Sequence, residues 1–424
     1  MNENFNVYDL KNVKFRVRKI IIPIVIIIVI ISLIIAMNIY LNIIELNEIG
    51  QFSGIYLKNL FTQIAFFGVS AVFIFIVLLI ASILVRKNIT KYYQEHSLPK
   101  RKINIIIAPL VFAIIGAFMS KEALYYETLG NKVHCFLCPH NCKILENHKG
   151  LCNVRKAMKD EDGKLKLYSL NYEAVTSIAI DPIEKKPLYR FHPGSYVLSV
   201  GSFGCNFKCS FCQNYSISQQ VPEYKRVSSY ELLDILNSKE NCIGIAFTYN
   251  EPSIWYEYVL ECSKLIKEKL PTKKVVLVSN GFITDVPLNE LLPYIDAMNI
   301  DLKGDDEYYK RLCGGNLKPV LDTIKRTYDA GVHIEITTLL VEGENTSLET
   351  VQLIGDFLSN LDKNIPIHLS RYFPNYKLTT PPTNLEDIKR AYWYLKKRLN
   401  FVFLGNLSSE ELKYIGSETS HLPR

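Results

Sequence analysis

Two kinds of hydrophobic pattern divide the chain, and the change falls near position 120. Before it, three stretches are apolar with little interruption: 20–40, 61–85 and 103–119. A helix that crosses the hydrocarbon core of a bilayer needs about 20 predominantly apolar residues, so the first two are long enough to span. The third is shorter and carries Asn104 and Pro109, which leaves it as a span, a re-entrant segment or a segment buried against protein. The first stretch is too long for the apolar part of a signal peptide, and no small-residue cleavage site follows it. A multi-pass membrane region over 1–119 is expected.

Beyond position 120 charges are spread throughout, and from Tyr196 short β-rich runs alternate with helical ones. The strand candidates are "YVLSV" from Tyr196, "IGIAFT" from Ile243, "KVVLVS" from Lys274, "AMNIDL" from Ala297, "HIEITTLLV" from His333, "IPIHLS" from Ile365 and "FVFLG" from Phe401. Between them, "SYELLDILN", "SIWYEYVLECSKLIKEKL", "VLDTIKRTYDAG", "SLETVQLIGDFLSNL" and "LEDIKRAYWYLKKRL" repeat apolar residues at three-and-four spacing. Nearly continuous apolar strands alternating with helices predict parallel βα units. The expected fold class is therefore α/β, a complete or partial TIM-type barrel over 195–424, with its chemistry at the C-terminal ends of the strands. Residues 120–194 form a smaller, cysteine-rich part before it.

Composition changes this picture in one respect. The formal net charge of +7 over 424 residues is modest, and much of it lies around the apolar stretches, so no basic stripe for nucleic acid is present. The ten cysteines say more. Seven fall into two groups: "CFLCPHNC" with Cys152 downstream, giving Cys135, Cys138, Cys142 and Cys152, and "CNFKCSFC", giving Cys205, Cys209 and Cys212. Clustered thiols in a chain whose later part reads as an intracellular enzyme favour metal or cluster binding over disulfides. Cys242, Cys262 and Cys313 have no partner at metal spacing and read as core or near-surface thiols.

Three thiols at the mouth of the first barrel strand, with no fourth, suit an iron–sulfur cubane that keeps one iron open to an outside ligand. Zinc completed by a distant ligand is the alternative. The upstream quartet offers a closed set of four, for structural zinc or for a second iron–sulfur cluster, and His134, His140 and His148 interleave with it. The need to bring an electron to the first cluster favours the second cluster there.

The segment "CNFKCSFC", with the aromatic Phe211 before its last cysteine, resembles the CxxxCxxC signature of radical S-adenosylmethionine (SAM) enzymes. "KEALYYE", "CFLCPHNC", "GLCNVR", "DPIEKKPLYRFHPGS", "FTYNEPSIWYEY", "SNGF", "NIDLKG", "ITTLLVEGEN" and "HLSRYFPNYK" are similar to segments of the AmmeMemoRadiSam-system radical enzymes, relatives of the pyruvate formate-lyase activases. The resemblance runs from about Lys121 to Asn406 and gives no information on the membrane region. It implies that Cys205, Cys209 and Cys212 hold a [4Fe-4S] cluster whose open iron binds SAM. Reductive cleavage would then give methionine and a 5′-deoxyadenosyl radical that takes hydrogen from a substrate.

The resemblance also implies roles for other residues. Asn250 and Glu251 of "YNEPS" would take the SAM ammonium, although Pro252 makes a helix cap an equally physical use of the segment. Ser279, Asn280, Asp301 and Lys303 would contact the ribose hydroxyls and the SAM carboxylate, against a buried salt bridge for the last two. His368 would lie near the adenosyl group, against a satisfied core histidine.

The partners implied are a lipid bilayer, a low-potential electron donor and a substrate that the sequence does not identify, with a protein partner suggested by the glycyl-radical activases. A membrane-anchored electron-transfer or metal-binding module without radical turnover is the other class, but such a module needs no nucleoside pocket. Lys11, Lys14, Arg16, Arg18 and Lys19 precede the first apolar stretch, and Arg86, Lys87, Lys91, Lys100, Arg101 and Lys102 follow the second. By the positive-inside rule both flanks are cytoplasmic. A cytoplasmic barrel then requires that 103–119 does not cross.

Overall fold

A computed structural model describes residues 121–417. The chain divides into two units, Met1–Ile105 and Ile106–Arg424, and the described residues all belong to the second. The three apolar stretches lie outside the described residues. Among the described residues, no helix is long and apolar enough to cross a membrane.

The cysteine-rich part is built from short strands: β1 (Lys121–Glu122), β2 (Tyr126–Leu129), β3 (Lys132–Cys135), β4 (Lys143–Leu145), β5 (Arg155–Lys159), β6 (Leu165–Ser169) and β7 (Ala174–Val175). Two antiparallel sheets result, in the orders β2-β3-β4 and β1-β6-β5. Then come β8 (Ser177–Pro182), β9 (Tyr196–Gly201), β10 (Lys225–Arg226), β11 (Cys242–Phe247), β12 (Lys274–Ser279), β13 (Ala297–Asp301), β14 (His333–Leu340), β15 (Ile367–Arg371) and β16 (Val402–Gly405).

The main sheet has eight strands in the order β16-β15-β14-β13-β12-β11-β9-β8. Seven are parallel and follow one another in the chain; β8 alone runs antiparallel, along β9. Among the described residues no ladder joins β16 to β8, so the barrel is partial. All seven parallel strands fall where the apolar runs predict them. They are apolar because helices cover the outer face and packed side chains fill the inner one. The helices Ser229–Asn237, Tyr256–Lys269, Leu317–Asp329, Leu348–Leu361 and Leu385–Lys396 supply that cover. Ser228 forms a capping box with Glu231, and Ser347 and Asn384 cap two of the others, each such cap worth about 1 kcal/mol.

Strand β8 has no counterpart in the sequence reading, which quoted the segment after it only for its resemblance and gave it no structural role. Residues 183–191 pack against side chains of four consecutive strands. The Pro187 carbonyl accepts from Asn299 Nδ2 at 2.8 Å, and Glu335 accepts from the N–H groups of Tyr189 and Arg190 at 2.9 and 2.7 Å. The Tyr189 ring meets His368 and Phe403 edge-on. This segment plugs the partial barrel below the strand ends.

Candidate active site

The cysteine loop leaves β9 at its C-terminal end, and the loops after β11, β12 and β13 close around it. Together they enclose a cavity of about 360 Å3. Cys205, Phe211, Cys209 and Cys212 line it from the loop; Asn250, Glu251, Ser279, Asn280, Asp301 and Lys303 line it from the strand ends. The structure thus brings together ten of the eleven residues expected at the first cluster and its cofactor. His368 is the exception. It is buried on β15, where its Nε2 lies 2.7 Å from Glu335, and it seats the plug instead of lining the cavity.

Hydrogen bonds show what holds the loop. Asn250 accepts from the Ser202 N–H and donates to the Gly204 carbonyl, both at 3.0 Å, so its side chain ties down the chain leading into Cys205. Glu251 caps the short helix Pro252–Ile254 through the Ser253 N–H at 2.9 Å and accepts from Ser279 Oγ at 2.8 Å and the Asn280 N–H at 2.7 Å. The cap reading and the site reading are therefore both realised in one carboxylate. Burial raises the Glu251 pKa, and the three donors oppose it.

Asn280 donates to Asn206 Oδ1 at 2.8 Å and faces the Cys205 sulfur at 3.7 Å, while the Phe207 N–H points at the same sulfur at 3.3 Å. Cys212 Sγ lies 3.2 Å from Ser218 Oγ. Burial pushes the free thiols of Cys205 and Cys212 upward, and the Ser218 bond pulls against this at Cys212. A metal removes that cost, because a coordinated thiol gives up its proton outright. Lys303 Nζ lies 2.6 Å from Asp301 Oδ2. Burial disfavours the Lys303 charge, but Asp301 and the neighbouring sulfurs outweigh it and hold the lysine protonated.

The upstream quartet is also gathered. Cys135 ends β3, its N–H donates to the Cys142 carbonyl at 2.9 Å, and burial, with Cys152, Cys135 and Cys142 adding, pushes the Cys138 thiol up to about 12. The buried Arg155 guanidinium acts on Cys135 and Cys152 and pairs with Glu257. Among the described residues no three histidine, cysteine or carboxylate side chains close on a position for one ion. A cubane, whose thiolates stand on separate irons, does not need such closure.

The quartet abuts the cysteine loop. His140 Nε2 meets the Asn206 carbonyl at 2.8 Å, and the Thr284 hydroxyl donates to the Phe136 carbonyl at 2.7 Å. Gly204 has φ +88°, and a Cβ there would stand 2.5 Å from Val154 Cγ1 and 3.0 Å from the Cys152 carbonyl oxygen. Only glycine lets the two cysteine segments meet this closely. Asn206 and Ser218 escaped the sequence reading, since nothing in their spacing marks them. Cys313 did as well: its carbonyl accepts from the Lys208 N–H, beside Cys209, at 2.8 Å.

Residues 199–354 match the family model described as the Radical SAM superfamily. An uncharacterized protein of Methanocaldococcus jannaschii is 39% identical over 298 residues, covering 69% of this chain and 86% of that protein. The chain belongs to the radical SAM superfamily. A second protein of that organism, provisionally named a glycyl-radical enzyme activating enzyme, is 29% identical over 222 residues, 50% of this chain and 79% of that one. A solved domain of a pyruvate-formate lyase-activating enzyme from Bacteroides vulgatus is 21% identical, covers 38% of this chain and 99% of its own, and has a TM-score of 0.33. Radical SAM membership makes the protein an enzyme that uses a [4Fe-4S] cluster and SAM. The donor set fits: three thiols on one cavity, N–H groups aimed at one of their sulfurs, and a protonated lysine beside them.

Proposed function

We propose that the protein is a membrane-anchored radical SAM enzyme of the activase-like kind, in which Cys205, Cys209 and Cys212 hold the catalytic cluster and the hydrogen donor is a protein partner. The carrying observation is that the three thiols share one cavity with Glu251, Ser279, Asn280, Asp301 and Lys303. Cluster and SAM, when bound, supply the reductive cleavage that yields methionine and a 5′-deoxyadenosyl radical. In this reading Glu251 takes the SAM ammonium, Lys303 its carboxylate and Ser279 a ribose hydroxyl, while Asn250 and Asn280 hold the cysteine loop in place.

The quartet Cys135, Cys138, Cys142 and Cys152 holds a second iron–sulfur cluster through which an electron enters. Its seam with the cysteine loop, at His140 and Gly204, supports this. The relative named for glycyl-radical activation supports a protein donor. The apolar stretches 20–40 and 61–85 support anchoring, and the basic residues that flank them put the segment before 103 in the cytoplasm; the demand for cytosolic SAM and reductant, with Asn104 and Pro109 in the short stretch 103–119, supports a cytoplasmic barrel with that stretch not crossing.

The test is anaerobic incubation of reduced, cluster-loaded full-length protein with SAM and with native cytosolic or membrane fractions. A fraction that raises 5′-deoxyadenosine above the uncoupled background, and loses that power after protease digestion, is the expected result. Activity that survives digestion and passes a small-pore filter would replace the protein donor with a small molecule.

A further inference from the structure

Two lysines of the plug, Lys185 and Lys186, form part of the wall of the cavity that holds Cys205, Cys209 and Cys212. They lie at the end of the short helical turn Ile183–Lys185. Ile183 and Leu188 anchor the turn on either side, both fully buried among Val197, Ala246, Val276 and Ala297 of the central strands. With the backbone so fixed, the two lysines share one carboxylate: Lys186 Nζ lies 2.8 Å from Asp181 Oδ2, and Lys185 Nζ 3.2 Å from Oδ1. Tyr249, also in the cavity wall, donates its hydroxyl to the same Oδ2 at 2.8 Å, and Lys186 Nζ stands 4.7 Å from the centre of its ring. Tyr249 has φ +73°, a strained conformation for an aromatic residue. Strain of this kind gathers at ligand sites, where the surrounding structure enforces it.

The charges of this group do not balance. Asp181 answers one lysine, and the buried Lys186 is the closer of the two; the side chain of Lys185 is 67% exposed and brings a second positive charge. Among the described residues that line the cavity, Glu251 goes to the SAM ammonium in the reading above and Asp301 pairs with Lys303 at 2.6 Å, so no further carboxylate of the lining is left for Lys185. An ammonium has three donors, so Lys186 can keep Asp181 and still donate to a ligand. We propose that Lys185 and Lys186 form a substrate subsite that takes a carboxylate of the hydrogen donor. One surplus positive charge matches one carboxylate, and Asp181 and Tyr249 hold the Lys186 ammonium in place, so that binding orders little. The proposal rests on the reading of this cavity as the place where SAM and the hydrogen donor meet.

The test is isothermal titration calorimetry of three probes with anaerobically reconstituted full-length protein saturated with SAM: a capped glycine peptide carrying one glutamate, its glutamine counterpart, and glutarate. The wild type should hold the glutamate peptide about tenfold more tightly than the glutamine one. Lys185→Gln should lose most of that preference and Lys185→Gln/Lys186→Gln all of it. Because Lys185 is largely exposed, the single variant decides the matter even if the loss of Lys186 unfolds the plug. Equal affinity of the wild type for both peptides would overturn the proposal, and so would a preference that survives in Lys185→Gln. A preference seen without SAM and abolished by it would put the lysines at the cofactor and overturn the proposal as well. Glutarate bound more tightly than the glutamate peptide, with the same loss in the variants, would uphold the subsite and give it a small acid in place of a protein donor. Since binding and not turnover is read, failure here is distinct from failure to form 5′-deoxyadenosine.

Discussion

Seven of the cysteines stand in two groups, and the loop that carries Cys205, Cys209 and Cys212 is held by residues of other segments. Asn280 reaches Cys205 from the end of β12, Ser218 reaches Cys212 from the short helix that follows the loop, and the carbonyls of Leu312 and Cys313 in the π-helical turn Tyr309–Cys313 hold the N–H groups on either side of Cys209. The two segments abut, but the quartet is carried by β3 and its own turns and not by the loop sulfurs, so removing those sulfurs should spare it. A Cys205→Ala/Cys209→Ala/Cys212→Ala protein is expected to retain about one cluster's worth of iron and acid-labile sulfide on Cys135, Cys138, Cys142 and Cys152. Zinc without sulfide in that variant would assign the quartet to a structural metal. The cysteines were legible in the sequence because their spacing is local. Cys313 is the core thiol that the sequence suggested, but the bond from the Lys208 N–H to its carbonyl joins segments distant in the chain and is not legible there. For His368 the sequence left a place near the adenosyl group and a satisfied core histidine both open: its position at a strand is visible there, but its pairing with Glu335 is not.

At the scale of elements, the seven parallel strands were legible because both faces of each are buried, which leaves uninterrupted apolar runs. Strand β8 was not, since it is an edge strand with Ile178 45% and Ile180 49% exposed, so its pattern announces no core. The plug over 183–191 has no periodicity at all, and it depends on one buried carboxylate. Burial raises the Glu335 pKa, but bonds from His333, His368 and the Tyr189 backbone outweigh it and hold the group down, from 4.5 to about 2. A carboxyl with a depressed folded pKa stabilises the fold above its unfolded pKa and loses that contribution as pH falls through the folded one. The shift corresponds to about 3 kcal/mol, fully present near neutrality and lost between about pH 4.5 and 2. Denaturant unfolding of Glu335→Gln against the wild type should therefore show the variant less stable at pH 7, with the gap narrowing steadily in acid. A gap that stays constant down to pH 3 would mean that the carboxylate's charge does not seat the plug.

For the whole molecule, the partial barrel puts its strand ends and Cys205, Cys209 and Cys212 on one cavity, the segment of the upstream quartet adjoins the cysteine loop through His140, and the sequence adds apolar stretches before residue 120. The account requires that the cavity meet cytosolic reductant and SAM. Impermeant labelling of intact cells should modify a tag placed near Lys58 and leave one after Arg424 untouched; the reverse would put the barrel outside. The central claim, that Cys205, Cys209 and Cys212 make this a radical SAM enzyme, is tested most directly by chromatography of 5′-deoxyadenosine formed when reduced, reconstituted protein meets SAM without oxygen. The wild type should form it and Cys209→Ala should form none, since two thiolates do not retain a cubane with one iron open. Equal formation by the two proteins, or none by a fully cluster-loaded wild type, would contradict the account.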